Sequence, residues 1–237
     1  MYAVVPAAGE GTRLRPLTAD RPKGLVEVAG RPLLSHVFDS LAALDVRRIV
    51  VVVGYRGEQV RAHFGDSVAG VPLTYARQHE RRGLAHALLQ AAPHVEDDFL
   101  LVNGDNVHRA NLGRVAARHR ETGADATVLV EKVSRERASQ GGVVRVEDGD
   151  VVGLVEKPDD PPSRLANRGF YAFSPRIFEA CRLVTPGATG EYELTDAVDL
   201  LVRAGRRVET VRLSGWCHNV NTPTDVEAVE ERLNGDG

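Results

Sequence analysis

The sequence predicts a mixed-sheet α/β domain, and three observations carry that reading. Short runs rich in Val, Ile and Leu alternate with amphipathic stretches through the first half, the pattern of a parallel sheet covered by helices. The apolar run Phe99–Val102 stops at Asn103-Gly104-Asp105-Asn106, which puts polar groups where a parallel strand delivers its carboxyl end. In the second half the apolar runs shorten and pair, two of them joined by the hairpin signal Asp148-Gly149-Asp150.

Taken in order, residues 2–6 read as the first strand, followed by a Gly- and Pro-bearing loop. Pro32 opens a helix in which Leu33, Leu34, Val37, Phe38, Leu41 and Leu44 recur at helical spacing. Arg48–Val53 reads as a fully buried strand, Gly57–Phe64 as a short helix, 71–76 as a third strand and 83–92 as a helix. Residues 126–131, 142–147, 151–156 and 167–173 read as strands, with a Pro-rich loop at 159–163. Helices follow at 175–181 and 193–204, then a strand at 208–213 and a closing helix at 223–233. No stretch has linker composition, so 1–237 is expected to be a single domain, with a first half at 1–125 and a second at 126–237.

Composition narrows the function. The 237 residues are 43% hydrophobic and 27% charged, within the globular norm, which excludes a disordered chain or a disulfide-stapled miniprotein. Thirty Lys and Arg against 33 Asp and Glu give a formal charge of −3, which argues against nucleic acid as a partner. No apolar run approaches membrane-spanning length, and the start lacks the basic n-region and long apolar run of a signal peptide. Cys181 and Cys217 are too few for a disulfide framework and have no ligand-spaced neighbours, so a cytoplasmic home is expected. Only Lys23, Lys132 and Lys157 are lysines; the other 27 basic residues are arginines. Lysine is a compact point charge where arginine is a planar fork, so each survivor is informative.

After the first strand, Gly9-Glu10-Gly11-Thr12-Arg13 brings backbone N–H groups toward a phosphate chain, with Arg13 as a bidentate cation. The loop lacks the third glycine of a dinucleotide fingerprint and the Gly-Lys-Ser/Thr ending of a P-loop, and a bare Gly-x-Gly is as often a plain turn. Its continuation through Arg13-Leu14-Arg15-Pro16-Leu17-Thr18 to Arg21-Pro22-Lys23 is more specific. Residues 7–23 resemble the signature of the nucleotidyltransferases that make nucleotide sugars from sugar 1-phosphates. That resemblance implies a Rossmann-like, mostly parallel sheet and assigns the nucleotide to Ala8, Gly9, Gly11 and Thr12. It gives Arg13 and Lys23 the catalytic roles, on the triphosphate and near the reacting centre.

Further segments fit the same resemblance. Gln78 and, five residues later, Gly83-Leu84-Ala85 look like a base-recognition segment; an amide offers a donor and an acceptor to the imide edge of uracil or thymine. Asp105 at a strand's carboxyl end suits Mg²⁺, which takes one or two protein oxygens and completes its shell with phosphates and waters. The second metal position departs from the common Trp-x-Asp-x-Gly-Thr pattern: Trp216-Cys217-His218-Asn219-Val220-Asn221-Thr222 carries asparagines, of which Asn221 is the first choice and Asn219 the second. Gly142, Glu156, Lys157 and Asn167 fall to the sugar phosphate. Lys132 matches nothing and is assigned to the surface. Thr195 and Asp196 read as a helix start, and His79, His86, His94 and His218 as surface or packing residues.

The expected reaction is nucleotidyl transfer from UTP or dTTP to a sugar 1-phosphate, glucose 1-phosphate foremost, with Mg²⁺ as cofactor and small molecules as the only assigned partners. Oligomeric state stays unassigned. A glycosyltransferase of related fold acting on a finished nucleotide sugar, and a non-catalytic nucleotide-sugar sensor, are the alternatives. The first has no use for the Gly-Thr-Arg and Arg-Pro-Lys segments; the second has no reason to keep Lys23 and Asp105.

Overall fold

The computed structural model describes residues 1–187 and 190–235. Strand β1 (Tyr2–Ala7) leads through the Gly9–Lys23 region to the small ladder β2 (Glu27–Val28) and β3 (Arg31–Pro32), then α1 (Leu33–Ala42). There follow β4 (Arg48–Val53), α2 (Gly57–Phe64), β5 (Ser67–Val68), β6 (Val71–Arg77), α3 (Leu84–Ala91) and β7 (Phe99–Val102). Next come β8 (Asn106–Ala110), α4 (Gly113–Thr122), β9 (Ala126–Lys132), α5 (Arg135–Ala138), β10 (Val143–Glu147), β11 (Asp150–Val155) and β12 (Leu165–Phe173). The chain closes with α6 (Ile177–Leu183), α7 (Leu194–Arg203), β13 (Val208–Arg212), β14 (Gly215–Asn219) and α8 (Pro223–Gly235).

One ten-stranded sheet holds the order β11-β10-β12-β7-β1-β4-β6-β5, with β9 on β12 and β13 on β9. The β7-β1-β4-β6 run is parallel, and β12 lies antiparallel to β7, β9 and β10. Central strands buried on both faces explain the unbroken apolar runs. Alternation sorts their side chains: Val4, Val50, Val52, Phe99 and Leu101 pack with α3, α6 and α7 on one face. Ala3, Val5, Val51, Leu100 and Val102 pack with α1, α2 and α4 on the other. The hairpin at Asp148-Gly149 is as expected, both residues taking the positive φ of a tight two-residue turn.

The short strands β2, β3 and β5, the single turn α5 and two larger parts of the fold lie outside the sequence expectation. Sequence reading passed over α4 and the ribbon β8–β14, in which Asn106 pairs with Asn219 and His108 with Cys217. Helix α4 reads GRVAARHRET, too polar for an apolar stripe to stand out, yet it buries Val115, Ala116 and His119. The ribbon packs with α8 over a small third core of Leu14, Val26, Val28, Leu33, Val107, Val220, Val226 and Val229. That core carries the residues after β1 and the residues around Asp105 on one support.

Candidate active site

The carboxyl ends of β1 and β7 meet where Gly104 N–H donates to the Pro6 carbonyl at 3.0 Å. A cleft of about 1380 Å³ opens above them. Its lining includes every residue expected to bind: Ala8, Gly9, Gly11, Thr12, Arg13, Lys23, Gln78, Gly83, Asp105, Gly142, Glu156, Lys157, Asn167, Asn219 and Asn221.

At one end the loop after β1 turns at Gly11, whose φ of +70° is left-handed and whose missing Cβ makes room for Lys23 Cβ and Thr18 Cγ2, each 3.0 Å from where it would stand. Thr18 Oγ1 donates to the Gly11 carbonyl at 2.8 Å and fixes the turn. Glu10 accepts from Arg15 at 2.9 Å and pairs with Arg81 at 2.7 Å, so two further cations stand at the loop. Lys23 follows buried Pro22 and precedes Gly24, which lies against Leu34 too closely to admit a side chain.

Lys23 Nζ donates to Asp105 Oδ2 at 2.7 Å and to Asn221 Oδ1 at 2.9 Å, and Arg13 donates to the same Asn221 oxygen at 3.0 Å. Asn219 plays a different part: its Oδ1 accepts from Asn221 Nδ2, which aims the Asn221 oxygen at the cations. Asp225 holds the turn below. Burial raises its pKa, but hydrogen bonds from Asn221 N–H, His218, Thr222 Oγ1 and Thr222 N–H outweigh that and leave it below the ordinary carboxylate value. No cluster of three or more His, Cys, Asp or Glu side chains with metal-binding geometry occurs among the described residues. One carboxylate and one amide oxygen converging on a cation is nonetheless a donor set that suits Mg²⁺, which fills its other positions from phosphate and water.

At the other end, Gly142 marks a space bounded by polar atoms. A Cβ there would stand 2.6 Å from Asn167 Nδ2, 2.9 Å from Thr195 Oγ1 and 3.0 Å from Glu156 Oε2. Asn167 Oδ1 accepts from Tyr171 OH at 2.8 Å and from Gly169 N–H at 2.9 Å, which turns its NH₂ toward Gly142. Thr195 Oγ1 donates to Glu156 Oε2 at 2.6 Å. A donor, a carboxylate and a hydroxyl round a vacated Cβ position match the alternating donors and acceptors of a sugar. Lys157, half exposed with its Nζ 3.7 Å from Glu156 Oε1, is held at a φ of +39°, a strained value for a side-chain-bearing residue, and its N–H donates to the Gly141 carbonyl at 3.1 Å.

Three readings need amendment. Thr195 begins α7 as expected but also lines the cleft and orients Glu156, a link across 39 residues that no local pattern exposes. His86 faces Gln78: Gln78 Nε2 donates to the Gly83 carbonyl at 3.2 Å and sits 2.9 Å from His86 Nδ1. Both amide hydrogens are therefore spent inside the protein, and Gln78 presents the cleft with an acceptor alone, not with the donor–acceptor pair that its residue type offers. His218, set down as surface or packing, lines the cleft and bonds Asp225. Lys132 is exposed and outside the cleft.

The fold is a mixed, mostly parallel α/β sheet with its cleft at the carboxyl ends of the parallel strands. The family model for nucleotidyl transferases matches residues 2–225, and the chain belongs to that family. It is 51% identical over 234 residues to the UTP--glucose-1-phosphate uridylyltransferase AglF of Haloferax volcanii, covering 98% of this chain and 96% of that protein. It is 37% identical over 246 residues to a glucose-1-phosphate thymidylyltransferase of Streptomyces griseus, covering 99% and 69% respectively. A UDP-glucose pyrophosphorylase solved with UDP-glucose superposes over the whole of both chains with a TM-score of 0.89 at 24% identity, a likeness of fold.

Proposed function

We propose that the protein joins UTP or dTTP to glucose 1-phosphate, releasing pyrophosphate and forming a nucleotide sugar. The observation that carries this is a single cleft with an anion-binding loop and Lys23 at one end and the polar space at Gly142 at the other. Two substrates bound at those ends face each other, which converts a bimolecular reaction into a positioned one.

A phosphate oxygen of the sugar 1-phosphate attacks the α-phosphorus in line. The bond from that phosphorus to the β-phosphate oxygen breaks, and pyrophosphate leaves with the electron pair. The attacking oxygen is already anionic near neutral pH, so no side chain has to take a proton, and the work left to the protein is placement and charge neutralisation. Gly9, Gly11 and Thr12 present backbone N–H groups to the triphosphate, with Ala8 beneath them and Arg13 holding its outer phosphates. Lys23 offsets charge at the α-phosphate. Lys157 screens the incoming sugar phosphate, while Glu156, Asn167 and the Gly142 backbone hold the hexose. Gln78 and Gly83 receive the base. Asp105 and Asn221, with Asn219 as the second choice, would hold Mg²⁺, which would supply additional neutralisation of the nucleotide phosphates.

Within the chain, residues 1–125 supply the nucleotide side and 126–237 the sugar-phosphate side, with α8 and Asn221 returning to the first. No helix among the described residues is long and apolar enough to cross a membrane. The reaction calls only for small-molecule partners and suits a cytoplasmic setting. A pyrophosphate-release grid of several nucleoside triphosphates against several sugar 1-phosphates with Mg²⁺ tests the assignment. Turnover with UTP or dTTP and glucose 1-phosphate is expected; consumption of UDP-glucose in its place, with no triphosphate required, overturns it.

A further inference from the structure

The amide of Gln78 is held as a one-way reader of hydrogen bonds. Gln78 is 4% exposed, so its amide hydrogens need partners inside the protein. The Gly83 carbonyl accepts one at 3.2 Å, and a carbonyl cannot donate, which forbids the flipped amide. The other points at His86 Nδ1, 2.9 Å away, which therefore takes the acceptor's part and leaves the ring N–H to Nε2. His86 stands on α3 one turn beyond Gly83, with its ring 6.5 Å from that of Tyr192. The Tyr192 backbone is stitched to the start of α3, its N–H donating to the Arg82 carbonyl at 2.8 Å and its carbonyl accepting from Ala85 N–H at 2.9 Å.

We infer that His86 is a positioning residue for base selection: with the Gly83 carbonyl it spends both Gln78 donors and pins the amide so that only Oε1 faces the base. An acceptor at that point rewards the N–H between the two carbonyls of uracil or thymine. It repels cytosine, which presents a lone pair on the corresponding ring nitrogen. The inference rests on the proposed use of UTP or dTTP and adds which residue enforces it. Without His86 a buried N–H loses its partner, and the longer bond to the Gly83 carbonyl is left alone to hold the amide.

The test compares wild type, His86→Leu and His86→Gln for kcat/KM and calorimetric Kd with UTP and CTP. His86→Leu is expected to raise KM for UTP and lower the UTP-to-CTP selectivity five- to tenfold, the worth of about one hydrogen bond, while kcat at saturating UTP stays within twofold. His86→Gln, whose own carbonyl oxygen can accept the Gln78 N–H, is expected to restore much of the selectivity. Wild-type selectivity in His86→Leu overturns the role of His86. Absence of turnover by wild type with any triphosphate and sugar 1-phosphate overturns the proposed reaction instead, and the Kd ratios still read His86. Should His86→Leu fail to fold, the ¹⁵N shifts of wild-type His86 decide: an unprotonated Nδ1 supports the inference and a protonated Nδ1 overturns it.

Discussion

Lys23 Nζ lies 2.7 Å from Asp105 Oδ2, although 82 residues separate them, and the pair stands where β1 and β7 deliver their carboxyl ends. The Lys23 side chain is only 12% exposed and that of Asp105 28%, so the lysine is held within the wall of the cleft. A cation fixed there before substrate arrives needs no reorganisation when charge develops on a transferring phosphoryl group.

Lys23→Ala is therefore expected to lower kcat/KM by about 10²- to 10³-fold, roughly 3 to 4 kcal/mol of transition-state stabilisation. Steady-state kinetics alongside thermal unfolding separates this from misfolding. Wild-type turnover in a folded Lys23→Ala protein would remove the residue from the mechanism.

The three lysines divide in a testable way. Lys23→Arg and Lys157→Arg are expected to impair turnover, since a guanidinium fork is larger than the ammonium and Lys157 is aimed by a backbone at φ +39°. Lys132→Arg, on an exposed position outside the cleft, is expected to leave both activity and stability within about 0.5 kcal/mol.

Gly142→Ala places a methyl group 2.6 Å from Asn167 Nδ2 and 3.0 Å from Glu156 Oε2. The expected outcome is a KM for the sugar 1-phosphate raised by about tenfold or more, with the KM for the nucleotide little changed. Equal rises in both constants, measured by varying each substrate in turn, would place Gly142 outside the sugar site.

Much of this site was legible before the fold. The loop after β1, Lys23, Asp105 and Glu156 stand at or just after strand ends or beside glycine and proline, where a residue's chemistry and its local backbone agree; Asn167, inside β12, is carried by the family resemblance. What escaped depends on long-range pairing. Strand β14 has no apolar run, and its ladder with β8, continued by Val220 N–H donating to the Asp105 carbonyl at 2.8 Å, brings Asn219 and Asn221 to Asp105. Residue type treats the two asparagines alike, and the resemblance ranks Asn221 first; the side-chain directions differ, with Asn221 Oδ1 facing Lys23 and Arg13 and Asn219 Oδ1 facing the Asn221 amide. Gln78 shows the same limit: its donor and acceptor were both readable, but their use by Gly83 and His86 was not.

Acid should destabilise the fold through its buried histidines. Burial, opposed only in part by a hydrogen bond to the Arg168 carbonyl, lowers the pKa of His108 from 6.5 to about 4, and burial lowers His36 and His119 as well. Between those values the unfolded chain binds a proton that folded His108 refuses, so the stability present above pH 6.5 declines as pH falls toward 4. His108 alone accounts for roughly 3 kcal/mol of that decline. Urea unfolding at pH 7 and pH 4.5 measures it, and a His108→Gln variant should show a shallower loss; an identical slope in the variant would exclude His108 as a source.

The most direct test of the central claim is pyrophosphate release by the wild-type protein given UTP or, in parallel, dTTP with glucose 1-phosphate and Mg²⁺, each substrate being omitted in turn. The account requires release that depends on both substrates and yields a nucleotide sugar in equal amount. Release from either triphosphate without the sugar phosphate, or binding of both substrates with no release from UTP or from dTTP, would contradict it.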